Sequence, residues 1–337
     1  MKKFFLTLFL AVMTTAALYA QQIIVVSQNG ATNVFQTLKQ AIEGSTAGST
    51  IYLPGGGFQI PDSVKINRRL TIVGVSHRGD TENVDGATTI AGNLYFIGAS
   101  SGSAVMGVYL SGNVYIGDTD GGVENMTIKF CNINSISVGN SASNNLYVNQ
   151  CYVRNNCDFG NCNVKFENNI AHSVQNIIAG IVNHNIFTSY LQLPALGGYS
   201  RYVFKEVSSS SITNNFMLQC YENYDFHSGS DCFISNNCRF TTPWGEKSKH
   251  LDEGTTWDDV FKANNGVSIS SDYHLKAELD KSKFEATDGT EIGIYGGNTS
   301  FSDKGLAPVP FIVAKRVDEK TDASGMLNVK IRVKAGE

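Results

Sequence analysis

The chain has 337 residues, a formal net charge of −4, 42% hydrophobic residues and 17% charged ones. That mild acidity argues against a nucleic-acid partner, which wants a basic face. It also disfavours a polyanionic glycan, unless basic residues cluster locally or a divalent cation bridges.

Residues 1–20 read as an export signal. Lys2 and Lys3 form a basic start, Phe4 to Val12 an apolar stretch, and a small-residue region ends at Ala20. The apolar run is shorter than the about 20 residues that a bilayer span needs. A retained amino-terminal anchor helix is the alternative. Loss of the two lysines takes the charge from −4 to −6 (−4 − 2). No other segment is long and apolar enough to cross a membrane. An exported protein, periplasmic, on the cell surface or extracellular, is expected, with no membrane span after signal cleavage.

After the signal, Ile23 to Val26 reads as a short strand. Asn33 and Gln36 look like a helix start, with Phe35, Leu38 and Ile42 on one helical face. Ser49-Thr50-Ile51-Tyr52-Leu53-Pro54 gives a strand, Gly55 to Gly57 a turn, and Leu70-Thr71-Ile72-Val73-Gly74 the next strand.

A degenerate phrase then recurs: an apolar residue, Asn or Cys, and another apolar residue. Taking Cys131, Cys151, Asn169, Asn185, Asn215 and Asn237 as equivalent, the steps are 20, 18, 16, 30 and 22 residues. A strand-sized unit repeating about every 20 residues is the signature of a solenoid whose coils bury a face against the next. Residues 101–200 hold 17 asparagines and 8 charged residues, and no proline occurs from 62 to 193, as stacked central strands require. Asparagine tolerates the left-handed backbone of sharp corners, and its amide can bond to the same residue one coil away. The 30-residue step places extra chain around Leu191 to Arg201.

Seven cysteines all lie between Cys131 and Cys238. Cys157 and Cys162 are the nearest pair in sequence, and an odd count leaves one thiol over if all pairing is internal. Cys131 and Cys151 read instead as small buried residues stacked in adjacent coils.

The capping helix ending Lys39-Gln40-Ala41-Ile42, followed by the strands at 49–54 and 70–74, resembles the entry to pectin-lyase-like right-handed parallel β-helices. Asp272-Tyr273-His274-Leu275, followed by Asp288-Gly289-Thr290-Glu291-Ile292-Gly293-Ile294-Tyr295-Gly296-Gly297, resembles the closing segment of exported β-helix proteins of Bacteroidetes type. The expected fold is all-β: a right-handed parallel β-helix over 21–300 with an amino-terminal capping helix, and a carboxy-terminal β-hairpin or tail over 301–337. In that tail Leu327 to Lys334 alternates apolar and polar, so one face should be buried. Pro310 to Val317 is its expected partner. The hairpin should pack on the helix or close its end; an adhesion or secretion tag is the other reading.

Glycan enzymes of this fold act through bases, cationic side chains or Ca²⁺, or through paired carboxylates. The Gly-His-Gly of polygalacturonase-like hydrolases and the Arg-Pro of pectate lyases are absent, and the one Asp-Asp pair, Asp258-Asp259, lies beyond the repeats. The best remaining cluster is Arg201, Tyr202, Lys205, Glu206, Tyr221, Glu222, Tyr224, Asp225, His227 and Asp231, with Tyr190 and Tyr199 nearby. Lys205, Asp225 and His227 are the catalytic candidates, Lys205 and Asp225 standing one coil apart; Arg201, Tyr202, Tyr221, Glu222, Tyr224 and Asp231 are the substrate-binding ones. Asp118 and Asp120 could ligate Ca²⁺, though a plain turn fits better; no other cofactor is expected. His172 and His184 have no acidic partner at ligand spacing and read as packed residues. Two functions follow from these features: a glycan-active or glycan-binding β-helix, meeting a polysaccharide or cell-surface component, or a non-catalytic adhesive solenoid.

Overall fold

The computed structural model describes residues 24–79, 86–119, 121–139, 142–188, 202–218, 226–227, 231–239, 249–250, 255–263, 268–317, 324–326 and 329–334. They form a parallel β-helix. One sheet of 11 strands carries nine parallel rungs, from Ser49–Tyr52 through Leu70–Val73 to Phe233–Ser235. A second sheet of 16 strands wraps the other two faces. Tyr152–Cys162 and Ile170–Ile178 bend round a corner and so join the second face to the third. At one strand spacing per rung the stack is roughly 40 Å long.

Inward-pointing residues stay in register from rung to rung. Val105, Ile128, Val148, Phe166, Val182 and Ile212 stand above one another on the first face, and each is buried. Phe159, Phe166, Phe187 and Phe204 continue the interior as a file of contacting rings.

The corner between the first and second faces repeats one device. A residue with left-handed backbone (Phe130, Gln150, Asn168, His184, Asn214 and Asn236, φ 52–57°) precedes each of the six equivalent positions. From Asn169 onward those positions form an amide ladder. The Oδ1 atoms of Asn169, Asn185, Asn215 and Asn237 accept from the backbone N–H of Cys151, Asn169, Asn185 and Asn215 at 2.9–3.0 Å. Their Nδ2 atoms donate to the carbonyls of Val148, Phe166, Val182 and Ile212, one rung back, at 2.8–3.0 Å. Cys131 and Cys151 occupy the same slots, and their thiols point at the Val105 and Ile128 carbonyls. Cys131, Cys151, Cys157 and Cys162 are free thiols, so Cys157 and Cys162 do not pair with each other. Burial pushes the Cys157 thiol strongly up, and Cys162 to about 11, so neither is a nucleophile at neutral pH.

The amino terminus differs from its expected form. Asn33 lies in the strand Ala31–Phe35, which pairs antiparallel with Ile24–Gln28 across Asn29-Gly30, both at positive φ. Asn-Gly favours a tight hairpin turn, and that local preference overrides the helical spacing that Phe35 shares with Leu38 and Ile42. The helix is Leu38–Gly44, capped by Thr37, whose Oγ1 accepts from the Gln40 N–H; Leu38, Ala41 and Ile42 are buried. Gly56 and Gly57 begin the second-face strand Gly56–Gln59 rather than forming a turn.

Two corrections concern the carboxy-terminal third. The hairpin of Phe311–Val317 and Val329–Lys334 forms with Val317 opposite Val329, but Val329, Ile331 and Val333 are 53–56% exposed, so its apolar face covers nothing among the described residues. A closing segment upstream does the covering instead. Ile170, Ile186, Phe216 and Cys238 point outward from the second face and share a separate core with Phe261, Tyr273, Leu275, Phe284, Ile292, Ile294 and Phe301. Residues 285–307 then run back along the amide corner. Asn236 donates to the Glu285 carbonyl, Asn168 to those of Ile294 and Gly296, and Ser302 N–H to Gln150. Near the other end Ala307 N–H reaches the Val75 carbonyl. The segment straps rung to rung.

Asn215→Ala removes the amide bond to the Val182 carbonyl and leaves the buried Asn185 N–H without its partner. It is expected to lower unfolding free energy by about 3 kcal/mol. Cys151→Ala removes one weak thiol contact and should cost less than about 1.5 kcal/mol. Urea unfolding of the two variants checks the order.

Candidate functional site

The cluster expected at 201–231 is brought together in part. Lys205 lies in the third-face strand Phe204–Ser208, and its partner one rung on is His227, not Asp225, because the chain takes 22 residues to return. One rung back stand Gln175 and then Asp158. Asp158 is already engaged, accepting from Gln175 Nε2 at 2.7 Å, Asn176 Nδ2 at 2.8 Å and Gly160 N–H at 3.1 Å. Lys205 Nζ is 3.9 Å from Glu206, Tyr202 is half-buried, and Asp231 is an exposed left-handed corner residue. Arg201, Tyr221, Glu222, Tyr224, Asp225, Tyr190 and Tyr199 lie outside the described residues.

Outward aromatics on the rungs are capped along the stacking direction. Tyr95 stacks on Tyr115 at 4.8 Å between centroids, and Lys65 Nζ sits 3.3 Å from the opposite side of the pair, over Tyr95. Tyr147 has Lys129 and Lys165 over it at 4.4 and 5.2 Å. These rings work as cross-strand ladders and leave little open face for a ligand.

Asp118 closes a tight backbone bridge with Gly121, and Asp120 lies outside the described residues. Asp259 serves a capping box with Thr256, and that hydrogen bonding from the Thr256 backbone holds its carboxyl below the usual range. His184 does have an acidic partner. Its Nε2 is 3.1 Å from Asp288 Oδ2, supplied by the closing segment 104 residues away. Among the described residues no group of three or more His, Cys, Asp or Glu is arranged to hold a metal ion.

A cleft lies in the closing segment itself. It encloses about 720 Å³ and is lined by His274, Lys281, Glu285, Thr290, Glu291, Tyr295 and Asp303, with Leu275, Phe284 and Phe301 as apolar walls. That size suits a small ligand. Strand alternation sets the first member: in Asp272–Leu275, Tyr273 and Leu275 turn into the outer core, so Asp272 and His274 face outward. The His274 ring stacks on Tyr295 at 3.7 Å between centroids, 17° from parallel. Its Nδ1 is 2.7 Å from Asp272 Oδ1, which also accepts the His274 backbone N–H at 3.0 Å. This contact makes Nδ1 the protonated nitrogen and leaves the Nε2 lone pair unengaged among the described residues. Tyr295 OH donates to Asp303 Oδ1 at 2.7 Å, and Asp303 Oδ2 is 4.0 Å from His274 Nδ1.

Environment separates two of the carboxylates, Glu291 and Asp272. Burial raises the Glu291 carboxyl, and Lys281 and Lys262, with the His274 and His184 rings when protonated, only partly oppose this. Burial also pushes Asp272 up, but the hydrogen bonds from the His274 backbone and ring outweigh it and hold Asp272 low. Tyr295 is raised far above its ordinary range by burial and by Asp303, so it stays a donor. A base with its orienting carboxylate and an acid biased to its protonated form thus line one cleft.

No protein-family model, no curated protein and no solved structure matches the chain.

The cleft wall depends on how closely the strap lies over the corner. A Cβ on Gly296 would stand 1.8 Å from the Glu291 carbonyl oxygen and 2.5 Å from His184 Nδ1. Gly296→Ala is therefore expected to lift the strap. Amide exchange at 285–303 should rise at least tenfold while exchange in the rungs at 146–183 stays slow.

Proposed function

We propose that this chain is an exported β-helix protein of the pectin-lyase-like type that binds polysaccharide at the cleft of its closing segment. The observation that carries this reading is the His274–Tyr295 stack at the cleft, with Asp303 and Glu291 in the same lining and Asp272 bonded to His274. Flat rings suit the apolar faces of sugars, and carboxylates accept from their hydroxyls. His274 is held on one side by Tyr295 and in its plane by Asp272, so little ordering entropy remains to be lost on binding. The Tyr295 and Asp303 pair fixes the second ring in the same way. Export is supported by residues 1–20, whose basic start and short apolar run fit a cleaved signal.

A second reading, an adhesive solenoid without a saccharide site, is favoured by one observation. The terminal hairpin leaves Val329, Ile331 and Val333 exposed together on one face.

Binding of the mature chain to immobilised xylan, glucomannan, β-glucan and arabinan tests the proposal. Retention on at least one is expected, with affinity reduced about tenfold by His274→Ala or Tyr295→Ala, the loss of one stacked ring. Lys205→Ala on the third face should leave retention unchanged. Loss in Lys205→Ala with none in His274→Ala would move the site to the rungs, and retention on no polysaccharide would favour the adhesive reading.

A further inference from the structure

The cleft's two unlike titratable groups point beyond binding, on the reading that its ligand is a polysaccharide. We infer that it hydrolyses a neutral glycosidic bond, with His274 Nε2 activating a water and Glu291 protonating the departing oxygen. Asp272 acts through His274 as a positioning residue.

The geometry divides the roles. Asp272 is committed to His274 and Asp303 to Tyr295, so neither is a free carboxyl for the leaving group. Glu291 lines the same cleft, forms no hydrogen bond through its carboxyl to a described residue, and is kept toward its protonated form by burial. His274, in the same lining, offers the nitrogen that Asp272 does not occupy. Acid and base therefore come from different segments, the base from the strand at 272–275 and the acid from the strap at 285–307.

The step balances. Water gives a proton to His274 Nε2 while its oxygen bonds to the anomeric carbon. The bond from that carbon to the bridging oxygen breaks, and the bridging oxygen takes the proton of Glu291. Two hydroxyl-ended saccharides leave; imidazolium and carboxylate return to their starting forms by proton exchange with solvent. Because water enters opposite the leaving group in one displacement, the anomeric configuration inverts.

Charge selects the substrate class. Asp303 and Glu285 line the cleft and Asp272 is bonded to its His274, against Lys281 in the lining and Lys262 nearby. That surplus repels a uronate, and it favours the positive charge that develops on the ring during acetal cleavage. The pH dependence follows from both groups. His274, faced by Asp272, Asp303, Tyr295 and Glu291, must be neutral, so rate falls as pH falls. Glu291, faced by His274, Lys281, Lys262 and His184, must be protonated, so rate falls as pH rises through its elevated pKa.

The test incubates the mature chain with xylan, glucomannan, β-glucan and arabinan, follows reducing ends, and reads product configuration by proton NMR. Expected are inverted products, a bell-shaped kcat/KM, and losses of about 100-fold or more in kcat in His274→Gln and Glu291→Gln, with binding retained in Glu291→Gln and weakened about tenfold in His274→Gln by loss of the stacked ring. Asp272→Asn should shift the acidic limb of the profile, which a merely structural role would not do. The binding that remains in both variants shows that they fold. Binding without hydrolysis in the parent chain, undiminished rate in Glu291→Gln, or retained configuration overturns the inference and leaves the binding proposal standing. Release of a product absorbing at 235 nm from polygalacturonate overturns it in favour of elimination. Absence of binding to every polysaccharide overturns the proposal beneath it.

Discussion

Everything in this molecule is stacked on a corner where the chain turns through one left-handed residue and loses its regular strand partners. The turn leaves a backbone N–H and a carbonyl of the preceding rung buried. A primary amide satisfies both at once, because it carries an acceptor and two donors without charge. Asn169, Asn185, Asn215 and Asn237 do this rung after rung, each bonded to the next. Carboxylates could not repeat in these slots. Two charges one strand spacing apart repel by about 3.5 kcal/mol even at an effective dielectric of 20. Cys131 and Cys151 serve where the ladder runs out, through weaker thiol contacts to the same class of carbonyl.

The closing segment uses what the corner presents. The left-handed residues project their side chains away from the solenoid interior, and Gln150, Asn168, Asn214 and Asn236 all bond to the strap. His184 does so through Asp288, beneath Gly296 and Gly297, whose lack of side chains lets the strap lie on its ring. The cleft is thus held at two removes from the ladder: amides fix the corner, the corner fixes the strap, and the strap brings Glu291 and Tyr295 into one lining with His274. That order explains how a site can be rigid on a segment with so little regular structure of its own.

The rungs were legible because their signal is periodic. The six equivalent positions, the lack of proline and the asparagine richness name the corner and its amide ladder correctly. The outer core left a signal too: Ile170-Ala171, Ile186-Phe187 and Phe216-Met217 are apolar at adjacent positions, and strands without alternation are buried on both sides. The stricter alternation of Leu327 to Lys334 points instead to the tail, of which Val329 to Lys334 is exposed. Asn29-Gly30 likewise announced a hairpin where the spacing of Phe35, Leu38 and Ile42 spoke for a helix. The cleft was the least legible part. Alternation in Asp272-Tyr273-His274-Leu275 tells which side chains face outward, yet nothing local joins His274 to Tyr295 and Asp303, or His184 to Asp288. Those contacts exist only once the strap is laid along the corner.

A double-mutant cycle between Asn185 and Asn215, read by urea unfolding, is the most direct measurement of the corner. The side chains share a 2.9 Å amide–amide bond in a buried site, and Asn215 Oδ1 also accepts the Asn185 N–H. Coupling of about 1–3 kcal/mol between Asn185→Ala and Asn215→Ala is predicted, the range for residues in one hydrogen-bond network. Strict additivity, with each variant costing the same whether or not the other is present, would contradict the ladder as the element on which the rest depends.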